Sequence, residues 1–497
     1  MSRSVKSAFI PLSKSRMSTS LFSLMVVSML LAIYSSYMIL DEFSVGDGWA
    51  TSVAIVTLVW VVCYFTFTYF HYKSVYLFSS TYVLCQIIFH LNLILQKGFG
   101  VDLGGWGEGS FGELMELAGW YSVLSLCCFG VGIAISPLFI KTKYVPTESS
   151  VYRQAKVRKA VFWSGVGLVV ASIVMFCLAV ASYGNLLSYS RHEIFSSSAD
   201  SRGFGLFTML APGAAALLLI GSRTRVHYIV AGFFAAFLFL IFVLSGYRSA
   251  GLFAAMAGVI AWVRSGRNLP NTLALCIAFV AVVAVSVGGT IRKTGSYGEI
   301  NAEKLSASLE NTSIDAVSSL GGTVGLVAHT IKFVPAEEDY RYGRSYLRAI
   351  LGMIPNIGFK VDGGSSRAAA KAAGFTEDVL LRMAPSDWIT YKILPEQFDL
   401  GFGTGYSGVA EPYLNFGFFG VVFYFLFLGV VSGVFESKDM RYCLIPLIFG
   451  AGFYRFLLPT VRNDFSNFLK PLAFTLIVLF IWWLVSKYFL GKRFSEK

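Results

Sequence analysis

Charged residues are scarce in this sequence. Asp, Glu, Lys and Arg make up 14% of its 497 residues, whereas 56% of the residues are hydrophobic. A water-soluble domain of this length needs more charge to cover its surface. The mean hydropathy is +0.66, and the apolar residues form runs of about twenty, the length that crosses a bilayer as a helix. The composition therefore excludes an ordinary soluble domain and predicts an all-α polytopic membrane protein.

Motifs for metal or nucleotide chemistry are also absent. The seven cysteines lie inside apolar runs without metal-ligand spacing, which is typical of small buried hydrophobic residues. No HExxH, Walker A, GxSxG or Asp-rich metal motif is present, so an ATP-driven pump and a metal hydrolase are not favoured. The net charge of +12 is spread between apolar runs, without a basic stripe. We therefore expect no cofactor and no nucleic-acid partner.

The apolar runs predict about twelve transmembrane helices. The basic, Ser-rich segment 1–20 precedes a run without a small-residue cleavage site, so we interpret that run as a first span and not as a signal peptide. The predicted spans are 20–40, 50–70, 75–95, 119–140, 160–181, 204–221, 226–244, 248–263, 270–289, 408–435, 442–460 and 471–490.

The distribution of Lys and Arg predicts the orientation. With a cytoplasmic N-terminus, 21 basic residues fall on inside segments and seven on short outside loops. This bias follows the positive-inside rule and puts both termini in the cytoplasm. The chain then divides into an N-terminal bundle of about nine spans (1–289), a large periplasmic loop (290–407) and a C-terminal bundle of about three spans (408–497). We expect short helices in the loop, one of them near 346–353, lying over the bundle.

Four arginines are predicted at the outer ends of spans: Arg248, Arg292, Arg455 and Arg462. A charge at the bilayer centre costs about 2.5–3.5 kcal/mol on insertion scales, so such residues usually have a partner or a function. Each one can extend to lipid headgroups or pair with a nearby acid, such as Asp464 for Arg462. Four on one side, under one long loop, favour an anion-binding site.

Glu411 and Asn415 are four residues apart at the start of a predicted span and share a helical face. Glu411 is either a carboxylate that complements the helix dipole or a general base on the outer side. His329 lies in the predicted loop, where it is either a packed side chain or a base or phosphate donor. The sequence alone leaves these alternatives open.

Several stretches of the chain resemble a known family. They are Leu244-Ser-Gly-Tyr-Arg248; Tyr342-Gly-Arg-Ser-Tyr-Leu347 followed by Ile354-Pro355; Ala410-Glu-Pro-Tyr-Leu-Asn-Phe-Gly417; and Arg462-Asn-Asp-Phe465. Together with the span count and the position of the loop, they are similar to the O-antigen polymerases (Wzy-type), or oligosaccharide repeat unit polymerases, of the GT-C class of membrane glycosyltransferases. The resemblance covers most of the chain.

This resemblance implies a metal-independent, inverting glycosyltransferase at the periplasmic face of the bacterial inner membrane. A hydroxyl of one undecaprenyl-pyrophosphate-linked repeat unit attacks the anomeric carbon of the growing chain, and undecaprenyl pyrophosphate leaves. Arginines suit that leaving group because they bind phosphate bidentately. The implied partners are undecaprenyl-pyrophosphate-linked glycans, membrane lipids, a chain-length regulator and a flippase. The predicted substrate-binding residues are Arg248, Arg292, Arg344, Arg348, Arg455, Arg462, Tyr413 and Asn415. Glu411 is the leading candidate for the catalytic base, and His329 is the second.

Three other functions remain open at this point. An O-antigen ligase has the same architecture and leaving group but transfers finished polymer to lipid A-core. A repeat-unit flippase or other transporter is expected to have related halves and charges at the membrane midplane, which this sequence does not show. In a non-catalytic membrane scaffold, Glu411 and the arginines are dispensable.

Overall fold

The computed structural model describes residues 14–40, 48–103, 111–139, 148–183, 202–244, 321–351, 374–399, 403–436 and most of 457–473, with a few isolated residues elsewhere. Helices and turns form these ranges, and no strand occurs within them. The prediction of an all-helical protein is confirmed for this part of the chain.

Nine helices of the described ranges belong to the predicted membrane bundles. They are α1 (Lys14–Leu40), α2 (Trp49–Tyr72), α3 (Phe78–Gln86), which continues through a π-helical turn (Ile87–Leu91) into α4 (Asn92–Gly98), α5 (Gly112–Ile135), α6 (Glu148–Tyr183), α7 (Arg202–Gly221), α8 (Arg225–Leu244) and, after the predicted loop, α14 (Ala410–Glu436). Over the described residues, six segments are long and apolar enough to cross a membrane: Thr19–Leu40, Trp49–Tyr72, Phe78–Gly98, Gly112–Phe139, Val161–Leu178 and Ala410–Glu436.

These six segments fall on six predicted spans, and α7 and α8 fall on the predicted spans 204–221 and 226–244. The predicted spans 248–263, 270–289, 442–460 and 471–490 lie wholly or largely outside the described residues. The total of about twelve spans and the three-part division of the chain therefore stay predictions.

Five short helices lie within the described part of the predicted loop 290–407. None of these five exceeds 11 residues, which is too short to cross the hydrocarbon core. The short helices expected for this segment are thus present in its described part, and one of them begins two residues before the predicted 346–353. They are α9 (Thr323–Phe333), α10 (Arg344–Leu351), α11 (Glu377–Arg382), α12 (Pro385–Ile393) and α13 (Pro395–Asp399).

Helix α5 lies at the centre of the main hydrophobic core and packs against α1, α9 and α14. Its crossing with α14 needs glycine, because a Cβ atom on Gly132 would lie 2.8 Å from the Cα atom of Gly429. Small residues allow such close backbone approach, and packing of this kind holds helices together in lipid. A second core joins α6, α7 and α8 through small and aromatic side chains such as Phe162, Ala214 and Phe234.

Helices α5 and α14 run in the same direction. Tyr121, in the third turn of α5, and Tyr413, in the first turn of α14, lie with ring centroids 5.1 Å apart, and further along both helices Gly132 meets Gly429. At the last residue of α14, Glu436 Oε1 accepts a hydrogen bond over 3.0 Å from the backbone N–H of Ser79, near the start of α3. The start of α14 therefore lies at the end of the bundle opposite to Glu436 and the turn between α2 and α3. The short helices α9 and α10 contact α14 and lie at its starting end.

Candidate functional site

Helix α14 is broken after its first turns. Phe416 and Gly417 have non-helical dihedral angles, and Gly417 has φ +61°, a value that favours glycine. Such a break leaves backbone carbonyls without helical partners. The backbone N–H groups of Arg341 and Tyr342 fill this need, donating over 2.9 Å to the carbonyls of Leu414 and Asn415. The segment before α10 is thus bound directly to the interrupted membrane helix.

The start of the same helix is fixed by Ser407. Its Oγ accepts hydrogen bonds from the backbone N–H groups of Val409 and Ala410, as an N-cap serine does. The same oxygen lies 2.7 Å from Nε2 of His90, a fully buried residue of the π-helical turn. This contact joins the membrane segment α3–α4 to the start of α14, the helix that carries Glu411 and Asn415.

Glu411 is enclosed by protein, with 3% of its surface exposed. Ser345 Oγ donates to Glu411 Oε1 over 2.7 Å, and the backbone N–H of Phe465 donates to Oε2 over 2.6 Å. Asn415 Nδ2 donates to Ser345 Oγ over 2.7 Å, and Asn415 Oδ1 accepts from the N–H of Gly343. Glu411 and Asn415 do share a helical face, as predicted, and together they bind the first turn of α10.

Arg462 belongs to a turn that is held from several sides. The carbonyl of Arg462 accepts from the backbone N–H of Tyr406 over 2.9 Å. The carboxylate of Asp464, which is buried, accepts from Ser386 Oγ over 2.6 Å. The next residue, Phe465, donates to Glu411 as described above. This turn therefore fixes the backbone from which the Arg462 side chain extends.

The Arg462 side chain lines a cavity of about 320 Å³ between α9, the α12–α13 segment and the turn. Arg462 supplies a cation, His329 an imidazole, and Gln397 and Thr404 uncharged polar groups. A cavity with few polar groups of this kind suits a small polar or anionic ligand. The lining residues are Gly322, Thr323, Gly325, Leu326, His329, Ile393, Gln397, Gly403, Thr404 and Arg462.

His329 lies on α9, and the centroid of its ring is 4.6 Å from the ring centroid of Phe111. Its buried Nδ1 has no hydrogen-bond partner among the described residues. Burial, followed by the positive charge of Lys332, lowers the pKa of His329 below the usual 6.5. The imidazole is therefore neutral near pH 7. A neutral imidazole beside a cavity can accept a proton from a ligand.

Arg341 is a buried arginine that the sequence analysis did not select. Its Nη1 and Nη2 donate to the carbonyls of Met383 and Leu380 over 2.8 and 2.9 Å, which caps the end of α11. Its guanidinium also lies 5.1 Å from the Trp388 ring. Burial lowers the pKa of Arg341 to about 10, so the group remains charged at neutral pH. Its contacts are those of a residue that organises the loop.

The other predicted site residues fall into three groups. Tyr413 is buried and donates its hydroxyl to the carbonyl of Val334 over 3.2 Å, a packing role. On α10, Arg344 is exposed and Arg348 half-buried, and neither lines the cavity described above. Three further arginines lie outside the described residues, so the convergence of the outer arginines stays a prediction: Arg248, Arg292 and Arg455.

Sequence reasoning missed Ser345, Gln397, Thr404 and Ser407 as well as Arg341. Ser345 stands in the stretch that carries the resemblance, which is the one signal that pointed to it. The others are ordinary residues in the sequence, and they acquire a role through contacts with other segments, as Ser407 does with His90.

The comparison with known families identifies the family of the chain. A family model described as O-antigen polysaccharide polymerase Wzy matches residues 18–493, nearly the whole chain. The chain belongs to this family. None of the curated proteins and none of the solved structures matches it.

As a Wzy polymerase, the protein is a membrane protein of polysaccharide biosynthesis that polymerises O-antigen repeat units. Members of the family act on lipid-linked oligosaccharide repeat units and are polymerases of the glycosyltransferase type. The ligase, flippase and scaffold alternatives are therefore not favoured. The resemblance seen in the sequence is confirmed, whereas the substrate-binding and catalytic roles of its residues stay predictions.

Proposed function

We propose that this Wzy polymerase works at the periplasmic face of the bacterial inner membrane on undecaprenyl-pyrophosphate-linked repeat units. The cavity lies at the starting end of α14, whereas Lys73 follows α2 at the opposite end of the bundle. Under the positive-inside rule, the end with more basic residues is cytoplasmic. That rule supports a periplasmic position for the cavity and a cytoplasmic position for both termini. A chain-length regulator and a flippase are the expected partners.

In the proposed reaction, a hydroxyl oxygen of one lipid-linked repeat unit attacks the anomeric carbon of the growing chain. The new glycosidic C–O bond forms from the opposite face as the bond to the pyrophosphate oxygen breaks, so the configuration inverts. Undecaprenyl pyrophosphate leaves with the bonding electrons, and the hydroxyl proton passes to a protein base. The energy of the step comes from the lipid-linked donor, and neither a metal nor a cofactor takes part.

The observation that carries this proposal is that Arg462 and His329 line one cavity. The guanidinium of Arg462 stabilises the negative charge that develops on the leaving pyrophosphate. The neutral imidazole of His329 takes the hydroxyl proton. Gln397 and Thr404 offer hydrogen bonds to sugar hydroxyls. The volume of about 320 Å³ is at the small end for ligand pockets, which suits the reacting end of a saccharide.

The outer arginines complete the proposed pyrophosphate site. We propose that Arg248, Arg292 and Arg455 join Arg462 around the leaving group, because all four end or flank spans on the side assigned to the periplasm. We propose that Arg344 and Arg348 bind the part of the lipid-linked substrate that lies outside the cavity. Both are on α10, the described helix that follows the cavity-lining α9 in the chain.

The direct test is polymer formation in a bacterial strain that lacks its own polymerase, followed by gel analysis of polysaccharide ladders. We expect Arg462→Ala and His329→Gln to abolish the ladder while both variants remain in the membrane. Arg382→Ala is the matched control, because Arg382 is exposed and pairs with Asp378 on α11. Full-length ladders from both cavity variants would overturn the site assignment.

A second experiment tests the chemistry with purified protein and a synthetic undecaprenyl-pyrophosphate-linked repeat unit. We expect release of undecaprenyl pyrophosphate in step with polymer formation, in the presence of a chelator, and an inverted anomeric configuration by NMR. Retained configuration, or activity that disappears with the chelator and returns with a divalent metal, would contradict the proposed mechanism.

A further inference from the structure

We infer that Glu411 is a positioning residue that holds the Arg462 turn and α10 in place, and that it does not take the acceptor proton. This inference rests on the proposed function of the cavity. Three observations lead to it: the burial of the carboxylate, the use of both of its oxygens, and its separation from the cavity lining.

The carboxylate of Glu411 has no free oxygen facing a ligand. Oε1 accepts from the Ser345 hydroxyl and Oε2 from the backbone N–H of Phe465, at 2.7 and 2.6 Å. The residue is 3% exposed and does not line the cavity that contains Arg462 and His329. A general base has to lie within hydrogen-bond reach of the proton it removes. In this arrangement His329 lines the cavity, whereas Glu411 is not among its lining residues.

The two hydrogen bonds of Glu411 reach the two segments that flank the site. Phe465 is three residues after Arg462, in the turn that also carries the buried Asp464. Ser345 is in the first turn of α10, and its hydroxyl also accepts from Asn415. Glu411 thus connects the start of α14 with both segments through buried hydrogen bonds. Such bonds fix geometry strongly because they are shielded from water.

Glutamine and aspartate distinguish the positioning role from the base role. A glutamine in place of Glu411 can accept the Phe465 N–H with its oxygen and donate with its amide to the Ser345 hydroxyl, which has lone pairs for a second donor. It keeps both connections but cannot act as a base. Aspartate keeps the carboxylate, but its side chain is one methylene shorter and cannot reach both partners. The two roles therefore predict opposite orders of activity.

The experiment compares Glu411→Gln, Glu411→Asp, Glu411→Ala and Ser345→Ala as full-length proteins with the undecaprenyl-pyrophosphate-linked repeat unit as the probe. For the positioning role we expect Glu411→Gln to retain activity within about threefold. The Asp and Ala variants should lose about tenfold or more in kcat/KM, mainly through KM, because a buried bond to the Arg462 turn is lost. Glu377→Gln is the matched control, since Glu377 is an exposed carboxylate on α11.

The reverse order would overturn the inference: Glu411→Asp active and Glu411→Gln reduced about a hundredfold or more in kcat, as loss of a general base predicts. A pH–rate profile of Glu411→Gln adds a second readout, because a positioning residue leaves the acid limb where it is and a base removes or shifts it. If Glu411→Ala does not fold, the comparison of Gln with Asp still decides. Arg462→Ala tests the proposed function of the cavity separately from the role of Glu411. Full activity in that variant would refute the cavity assignment, whichever Glu411 variant is the more active.

Discussion

Gly429 of α14 lies against the backbone of α5 so closely that a Cβ atom on it would be 3.0 Å from the Cα atom of Gly132. Four residues later, Gly433 meets the side chain of Ser136 in the same way. This is the small-xxx-small pattern by which helices pack in lipid, where no hydrophobic effect draws them together. Helix α14, which carries Glu411 in its first turn, is therefore positioned by α5 along most of its length.

A valine at this crossing should separate the two helices. We expect Gly429→Val to lower the apparent Tm in detergent and to reduce the yield of folded protein, since overpacking costs about 1–3 kcal/mol or more. Thermal size-exclusion chromatography of a fluorescent fusion measures both quantities. Gly167→Val is the control, because a Cβ atom on Gly167 of α6 meets nothing within 4 Å. Equal stability of the two variants would show that the crossing is not tightly packed.

Arg341 is expected to tolerate lysine poorly. The guanidinium binds two carbonyls and stacks on Trp388, and a lysine cannot reproduce this planar fork. We expect Arg341→Lys to destabilise the α11–α12 part of the loop by about 1–3 kcal/mol, because a buried acceptor loses its donor. Faster proteolysis or hydrogen exchange at α11 is the readout. The exposed exchange Arg382→Lys should change neither rate, and a similar effect of both substitutions would count against the proposed capping.

The acid limb of polymerase activity is expected to report on His329. Its pKa is lowered below 6.5, so the neutral, proton-accepting form of His329 is still present at pH 6.5. As the pH falls further, activity should decline only when the pH passes the lowered pKa. Lys332 is exposed and contributes to the lowering. Lys332→Gln should therefore raise the pKa and move the acid limb to higher pH. The control Lys371→Gln should leave the limb in place. An acid limb that does not respond to Lys332 would argue against His329 as the base.

Gly417 is the position at which α14 breaks. Its φ of +61° and ψ of −143° strain any residue with a side chain, and a Cβ atom there would also lie 3.0 Å from the Tyr340 hydroxyl. We expect Gly417→Ala to cost about 1–3 kcal/mol and to reduce polymerisation. Gly213→Ala on α7 serves as the control, because a Cβ atom on Gly213 would meet nothing within 4 Å. Unchanged polymer length in Gly417→Ala would mean that the break is not needed for activity.

The membrane helices could be predicted from the sequence because the bilayer imposes their length. The predicted span 50–70 corresponds to α2 within two residues at each end. The prediction was less accurate for α5, which begins at Gly112 and not at 119. Its first two turns contain Glu113 and Glu116, and acidic residues are unusual in a span. Glu116 is nevertheless buried, a fact that depends on tertiary packing.

The candidate site could be predicted only in part. The spacing of Glu411 and Asn415 indicated a shared face, but the partner of that face, Ser345, is 66 residues away from Glu411. The break at Phe416 and Gly417 was not predicted, because its carbonyls are satisfied by a segment of the loop and not by a local motif. The contacts of Glu411 with Ser345 and Phe465 and the place of His329 in a cavity depend on such long-range packing, which hydropathy and spacing do not contain.

The break in α14 also limits how modular this polymerase is. The backbone of Arg341 and Tyr342 completes the hydrogen bonding of a membrane helix, and Ser345 closes onto Glu411 beside it. The segment before α10 and the first turns of α14 thus form one structural unit, although one belongs to a loop and the other to a span. A chimera that exchanges the loop between two polymerases should function only when residues 340–345 and 410–417 come from the same parent.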